Sequence, residues 1–240
     1  MSGFLQELSA FLADPASWTG GSGLLVRTWD HVTLSAFAIT AAALISVPPA
    51  LWLGHRGRGG FAVGAIVNLG RAIPSFGIVA LMLPISLGLG WGIGYWPTFI
   101  ALVALAMPPM FTNAYTGIIE VDRSIREAAL GMGMTGTQLM RRTELPLAMP
   151  VIWTALRISS VQVVATATLG AVVGWGGLGR YIIDGFAQGN DVFVFVGGVS
   201  VALLAIAVDL LFSLGERFVL PAGTRHRDRG ELDLAQGGAV

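Results

Sequence analysis

Long uncharged runs alternate with short charged ones along this chain, and the run lengths set the elements. Val32 to Gly54 is 23 residues without a charge, flanked by His31 and His55. A membrane-crossing helix needs about 20 mostly apolar residues, so this run predicts a first span over 32–54. Ala72 to Ile119 carries no Asp, Glu, Lys, Arg or His across 48 residues. As one helix it would extend about 72 Å, far beyond a hydrocarbon core of about 30 Å, so it must turn once. The Gly-rich piece Gly88-Leu-Gly-Trp-Gly-Ile-Gly-Tyr-Trp-Pro97 supplies the turn, and Trp91, Tyr95 and Trp96 suit the interfacial aromatic belt. Spans over 72–88 and 97–118 follow. Ile158 to Gly179 is again uncharged, giving a span over 151–173, and a fifth covers 192–214 with Asp209 inside it. The predicted fold is an all-α integral membrane protein of about five transmembrane helices.

Five spans place the termini on opposite sides. Arg56, Arg58, Arg71, Arg123, Arg126, Arg141, Arg142, Arg157, Arg217, Arg225, Arg227 and Arg229 fall on one side, and only Arg27 and Arg180 on the other. The positive-inside rule puts the Arg-rich side in the cytoplasm, with the N-terminus outside and the C-terminus inside. Residues 1–30 form an extracellular segment. Within it Phe4, Leu5, Leu8, Phe11 and Leu12 recur at helical spacing, predicting an interfacial amphipathic helix over 3–13. The segment lacks the basic start of a signal peptide and carries Glu7 and Asp14. The transmembrane domain covers 31–220, and the tail 221–240, rich in Arg, Asp and Gly, is predicted to be disordered. Residues 178–187 predict a short helix outside the membrane.

Composition agrees with membrane residence. Apolar residues make up 54% of the chain and charged residues 12%, too few to cover a soluble globule. All 14 basic residues are Arg, and without Lys there is no G-x-x-x-x-G-K-[ST] phosphate loop, so ATP is not bound here in that way. The absence of Cys removes thiolate metal sites and Cys nucleophiles, and three His without an H-E-x-x-H pattern suggest no zinc site. Net charge is zero, which makes nucleic acid an unexpected partner. Gly20-Gly21-Ser22-Gly23 fits a membrane serine protease pattern, but it lies in a polar linker and no later span supplies a His base. No acidic ring or TVGYG-like filter suggests a channel.

The longest cytoplasmic loop, 119–147, is the most informative. Residues 122–132 are good helix formers, Gly133 can supply a left-handed cap, and Thr135 with Gln138 predicts a capping box opening a second helix. Pro146 predicts a boundary before the fourth span. A partly apolar helical hairpin suits either docking into a partner's groove or lying on the membrane. The spacing Glu127-Ala128-Ala129, three residues, Gly133, nine residues, Thr143, one residue, Leu145-Pro146 resembles the "EAA" loop of ATP-binding-cassette importer permeases of type I, with Thr143 standing where that family usually has Ile or Val. Asn68-Leu-Gly-Arg71-Ala-Ile-Pro74-Ser75, Thr112-Asn113-Ala-Tyr115-Thr-Gly117-Ile and Gly174-Trp-Gly-Gly177-Leu-Gly179-Arg-Tyr-Ile resemble its osmoprotectant branch, which serves glycine betaine, choline, carnitine or proline betaine. Methionine-type permeases share the Arg-x-x-Pro element and are the alternative. The resemblance implies a subunit of a bacterial inner membrane importer, not an enzyme. Its partners would be a second, identical or paralogous permease, two cytoplasmic ATPases that bind ATP and Mg, and a separate binding protein.

Polar residues inside the spans complete the reading. Polar groups in a membrane usually face the bundle interior, so Asn113, Tyr115 and Gln162, with Thr112 and with Pro74 and Ser75, are candidates for a translocation pathway or gate. Interhelical hydrogen bonding is the plainer role. Pro108-Pro109 should free backbone carbonyls beside Asn113. Arg157 and Asp209 lie at similar depth, so either they pair, or meet partners such as Arg71, or Arg157 snorkels to the inner headgroups. Because the candidate lining is neutral, neither an anion nor a metal cation is the expected cargo.

Overall fold

The structure, a computed structural model, describes residues 2–60, 63, 65 and 74–219. The motif around Arg71 and the tail 221–240 lie outside the described residues. Every regular element described is helical. In chain order these are α1 (Ser2–Ala13), α2 (Pro15–Thr19), α3 (Leu24–His55), α4 (Ser75–Gly88), α5 (Tyr95–Ile119), α6 (Arg123–Gly131), α7 (Gly136–Leu139), α8 (Leu145–Thr166), α9 (Gly179–Gln188) and α10 (Asp191–Val219). A π-helical turn over Met140–Glu144 joins α7 to α8, and a 3₁₀ stretch over Ala167–Val173 extends α8.

Four described helical runs are long and apolar enough to cross a membrane: Pro15–His55, Tyr95–Ile119, Gly136–Val173 and Asp191–Val219. They contain the expected first, third, fourth and fifth spans. The expected second span is represented by the shorter apolar helix Phe76–Gly88, and residues 72–73 at its start lie outside the described residues.

Small residues allow the central helices to approach closely. The buried positions of α3 include Ala38, Ala42, Ser46, Ala50 and Gly54, four apart. Those of α5 include Thr98, Leu102, Ala106, Met110, Ala114 and Ile118, also four apart. Without a hydrophobic drive inside lipid, stripes of small residues let backbones approach and gain dispersion and packing. Two clusters result. Leu34, Ala38, Ala42, Leu102, Ala106, Met110, Val163 and Ala167 form one. Ala50, Val63, Phe111, Ala114, Tyr115, Ile118, Ala148 and Ile152 form the other. Helix α5 packs in turn on α8, and α8 on α10.

The turn between α4 and α5 is where glycine was expected to be needed. Gly90, Gly92 and Gly94 have φ of 73°, 78° and 87°, a region that side chains disfavour. Trp91 meets Trp96, and Tyr95 meets Trp175 edge-on at 5.0 Å.

One expectation is corrected. Pro146 does not separate the loop from the fourth span. The helix runs through it, because the π turn lets the Leu145 N–H donate to the Met140 carbonyl, and Pro146, near the start of α8, needs no N–H of its own there. The helix expected over 3–13 is α1, whose Leu5 and Leu12 stay exposed while its aromatic face meets protein. Phe4 packs edge-on against Phe195, and Phe11 against Tyr181 and Phe193, so α1 is seated on α9 and α10.

Candidate functional site

The loop between α5 and α8 is a helical hairpin held by local chemistry. Asp122 caps α6 by accepting from the Ser124 N–H at 2.8 Å. At its other end the Gly133 N–H donates to the Leu130 carbonyl (2.9 Å) and the Met134 N–H to the Ala129 carbonyl (3.2 Å). This Schellman arrangement satisfies carbonyls that a helix end leaves orphaned and requires Gly133 at φ +84°. Thr135 opens α7 with a reciprocal capping box. Its backbone N–H donates to Gln138 Oε1 at 2.8 Å, and the Gln138 N–H donates to Thr135 Oγ1 at 3.4 Å.

The hairpin offers an apolar tip. Ile125, Leu130 and Met132 are exposed, Met132 to 74%, and Ala128 is exposed beside them. Glu127 is exposed and paired with Arg123 at 2.7 Å. Ala129 faces inward at 3% exposure. Leu145 packs partly buried against the second core cluster, and Pro146 is half-buried. Exposed apolar side chains on a rigid cap fit a partner's groove.

The base of the hairpin is ionic. Glu144, just before Leu145, is 0% exposed. His55 Nδ1 lies 2.5 Å from its Oε2, and Arg126 Nη2 lies 2.7 Å from its Oε1. The Arg126 approach is an ion pair lying off the hydrogen-bonding direction of Oε1. Arg126 Nη2 also donates to the His55 carbonyl at 3.2 Å. These three residues were not among the expected site residues. The available sign was an acid directly before the apolar run that opens with Leu-Pro, with His55 at the end of α3 and Arg126 inside α6.

The polar candidates inside the spans separate. Asn113 Nδ2 donates back to the Pro109 carbonyl at 2.8 Å, and α5 continues unbroken through Pro108 and Pro109. Thr112 Oγ1 is buried without a partner. Tyr115 is 6% exposed inside the second core cluster, so it presents no open lining surface in this subunit. Gln162 is exposed on α8. Pro74 is exposed and caps α4, whose first residue is Ser75. Arg157 grips Asp209 bidentately, Nε to Oδ1 at 2.6 Å and Nη2 to Oδ2 at 2.7 Å, fastening α8 to α10.

At the far end of the bundle His31, 1% exposed, bridges three elements. The contacts are Nε2 to the Val164 carbonyl at 2.8 Å and the Leu178 N–H to Nδ1 at 3.3 Å. They assign a neutral ring with the proton on Nε2. Nearby, a cleft of ≈ 400 Å³ opens between Phe11, Asp14, Arg27, Tyr181, Asp184 and Phe193. Tyr181 donates to the Ser22 carbonyl at 3.1 Å. Burial pushes its phenol above the ordinary value, with Arg27 pulling the other way.

Comparison with known proteins now bears on this geometry. The family described as "Binding-protein-dependent transport system inner membrane component" matches residues 36–220. The choline transport system permease protein OpuBB of Bacillus subtilis is 36% identical over 205 residues, 85% of this chain and 92% of that one. The osmoprotectant import permease protein OsmW of Salmonella typhimurium is 32% identical over 199 residues, covering 82% and 92%. Among solved structures, an inward-facing conformation of the MetNI methionine ABC transporter superposes with a TM-score of 0.73 at 25% identity, covering 87% of this chain and 100% of that one. With a helical hairpin standing at the base of an all-helical bundle, and with this extent of similarity, the chain belongs to the inner membrane components of binding-protein-dependent transport systems, the permease subunits of ABC transporters.

Proposed function

We propose that this permease carries quaternary-ammonium osmoprotectants such as choline, glycine betaine or carnitine into a bacterial cell. The carrying observation is 36% identity over 205 residues to a choline permease, with a carnitine permease of Listeria monocytogenes also 32% identical over 212 residues. The neutral candidate lining agrees with a solute that needs neither an anion nor a metal site.

In this reading two permeases, identical or paralogous, enclose the pathway. Each chain crosses the bilayer five times, with the N-terminus outside and the tail 221–240 inside, and the domain 31–220 is the translocating unit. Glu127, Ala128 and Gly133 form the surface that seats on a cytoplasmic ATPase, Ala129 packs behind it, and Leu145 with Pro146 joins it to the fourth span. ATP and Mg reside on the ATPases, and this chain needs no cofactor. A binding protein delivers solute to the outer face. Closure of the ATPase pair moves the hairpins and switches the pore between outward- and inward-open states. Pro74, Ser75, Thr112, Asn113 and Gln162 line or gate the pathway. Support for Gln162 comes from its exposure on α8, because an amide facing lipid would leave its groups unsatisfied. Tyr115, sequestered in the core, acts from behind that lining by packing.

The test is reconstitution of the permease with its ATPase and binding protein in liposomes, followed by uptake of labelled choline, glycine betaine and methionine. ATP-dependent accumulation of a quaternary amine is expected. The fold similarity to a methionine transporter makes methionine the competing cargo. Methionine uptake without quaternary-amine uptake overturns the substrate assignment and leaves the importer standing.

A further inference from the structure

The hairpin can reach the membrane helices by two routes. One is its direct continuation into α8. The other is the buried carboxylate of Glu144, with its partners on α3 and α6. We infer that His55, Glu144 and Arg126 are positioning residues that form a joint between the hairpin and α3, keeping ATP turnover and solute movement in step. This inference rests on the importer reading above and adds a route of transmission to it.

Burial is the first reason. Glu144 is 0% exposed, and a carboxylate so placed is tolerated only with a compensating charge and hydrogen bonds. Its two partners come from elsewhere in the sequence, His55 from the last residue of α3 and Arg126 from α6. The hairpin therefore cannot slide past the end of α3 without breaking the His55 contacts to the buried carboxylate and to Arg126.

The second reason is the double duty of Arg126. Besides the ion pair it donates to the His55 backbone carbonyl, one of the acceptors that the end of a helix leaves unsatisfied. The side chain and backbone of one terminal residue are thus both held by the hairpin. The hairpin's second helix also borders the His55 ring, since a Cβ at Gly136, the first residue of α7, would be in ordinary contact with His55 Nε2 at 3.4 Å. The third reason is what α3 touches. One helical turn up its closely packed stripe lies Ala50, and Gly54 itself fits so tightly that a Cβ there would come within 3.0 Å of Ile118 on α5. A displacement delivered at His55 enters the α3–α5 interface beside the close approach of Gly54 to Ile118.

The experiment uses the complete importer in proteoliposomes, with glycine betaine or choline as solute, comparing wild type with Glu144→Gln, His55→Ala, Arg126→Ala, Arg126→Lys and the His55→Ala/Glu144→Gln double variant. Three quantities are read: ATPase retained on purification, solute-stimulated ATP hydrolysis, and solute moved per ATP. Glu144→Gln is expected to keep the ATPase bound and hydrolysing while solute moved per ATP falls about tenfold, an ordinary size for coupling between sites. The double variant is expected to be no worse than the more severe single one, because the residues act as a unit, and Arg126→Lys to retain more coupling than Arg126→Ala. Wild-type solute per ATP in both Glu144→Gln and His55→Ala would overturn the joint. Loss of transport matched by equal loss of bound ATPase would overturn it too, since that is the mark of a merely structural role. Absence of solute-stimulated hydrolysis in the wild type would instead count against the importer reading itself.

Discussion

Gly133 offers a perturbation whose size can be worked out in advance. Its φ is +84°, where an L side chain costs about 1–2 kcal/mol. An added Cβ would meet nothing within 4 Å, so Gly133→Val introduces backbone strain without a steric clash. What opposes the strain is local: two hydrogen bonds, from Gly133 to Leu130 and from Met134 to Ala129, worth about 0.5–1.5 kcal/mol each. The two sides are of the same order, so the joint is expected to open in a sizeable fraction of molecules, a shift of roughly 5–30-fold in population. Gly131 gives the control. It lies two residues away at the end of α6, its Cβ would also meet nothing within 4 Å, and its backbone is not left-handed, so Gly131→Ala should be neutral or slightly stabilising. The assay is solute-stimulated ATP hydrolysis and uptake in proteoliposomes, with hydrogen exchange at residues 129–135 reporting the opening. Gly133→Val is expected to insert normally, exchange faster over that segment and lose most uptake. Uptake and stimulated hydrolysis equal to those of Gly131→Ala would refute the reasoning.

Three further outcomes can be checked on the detergent-solubilised chain. Arg157→Ala and Asp209→Ala should each lower the melting temperature, and the double variant should lose less than the two together, because the bidentate pair is removed once. Additive losses would remove the pair as a stabilising unit. Gly179→Ala would drive a Cβ into the Thr168 carbonyl oxygen, so a loss of about 1–3 kcal/mol is expected from overpacking, measured by thermal unfolding. Tyr181 is held above its ordinary pKa by burial. The folded state therefore keeps the phenol proton when the unfolded chain has given it up. Its hydrogen bond to Ser22 contributes fully below the unfolded pKa of about 10 and is lost as pH rises through the folded one. Tyr181→Phe should flatten that alkaline loss of stability.

Much of this arrangement was legible because membrane solvent makes the rules simple. Apolar runs of helical span length mark α3, α5, α8 and α10, with Arg157 and Asp209 as in-span charges, and the Gly-Trp turn after Gly88 could only be a turn, since the run was too long for one helix. The hairpin was legible for another reason. Its devices are local, with Asp122, Gly133 and the Thr135–Gln138 box each acting within a few residues. Long-range chemistry was not legible. His31 reaches Val164 across 133 positions and His55 reaches Glu144 across 89, and no periodicity announces such meetings. Pro146 misled for a stereochemical reason. A proline ends a helix only if its missing N–H was needed, and a π turn before it removes the need. Tyr115 read as a lining group from its polarity, but its ring supplies apolar area that the second core cluster uses.

The unbroken helical run from Gly136 to Val173 is 38 residues, about 57 Å at the rise of a helix. One end is the hairpin. The other meets His31 through the Val164 carbonyl and abuts Gly179 at Thr168. The π turn over Met140–Glu144 and Pro150 lie toward its hairpin end, where a helix bends, and the stretch beyond them works as a shaft, which transmits torque both ways. Thermodynamic reciprocity then follows. If a ligand of the hairpin end changes the affinity of a ligand at the far end by some factor, the second must change the first by the same factor. Where the two ends are coupled, a titration at one therefore measures the coupling seen at the other.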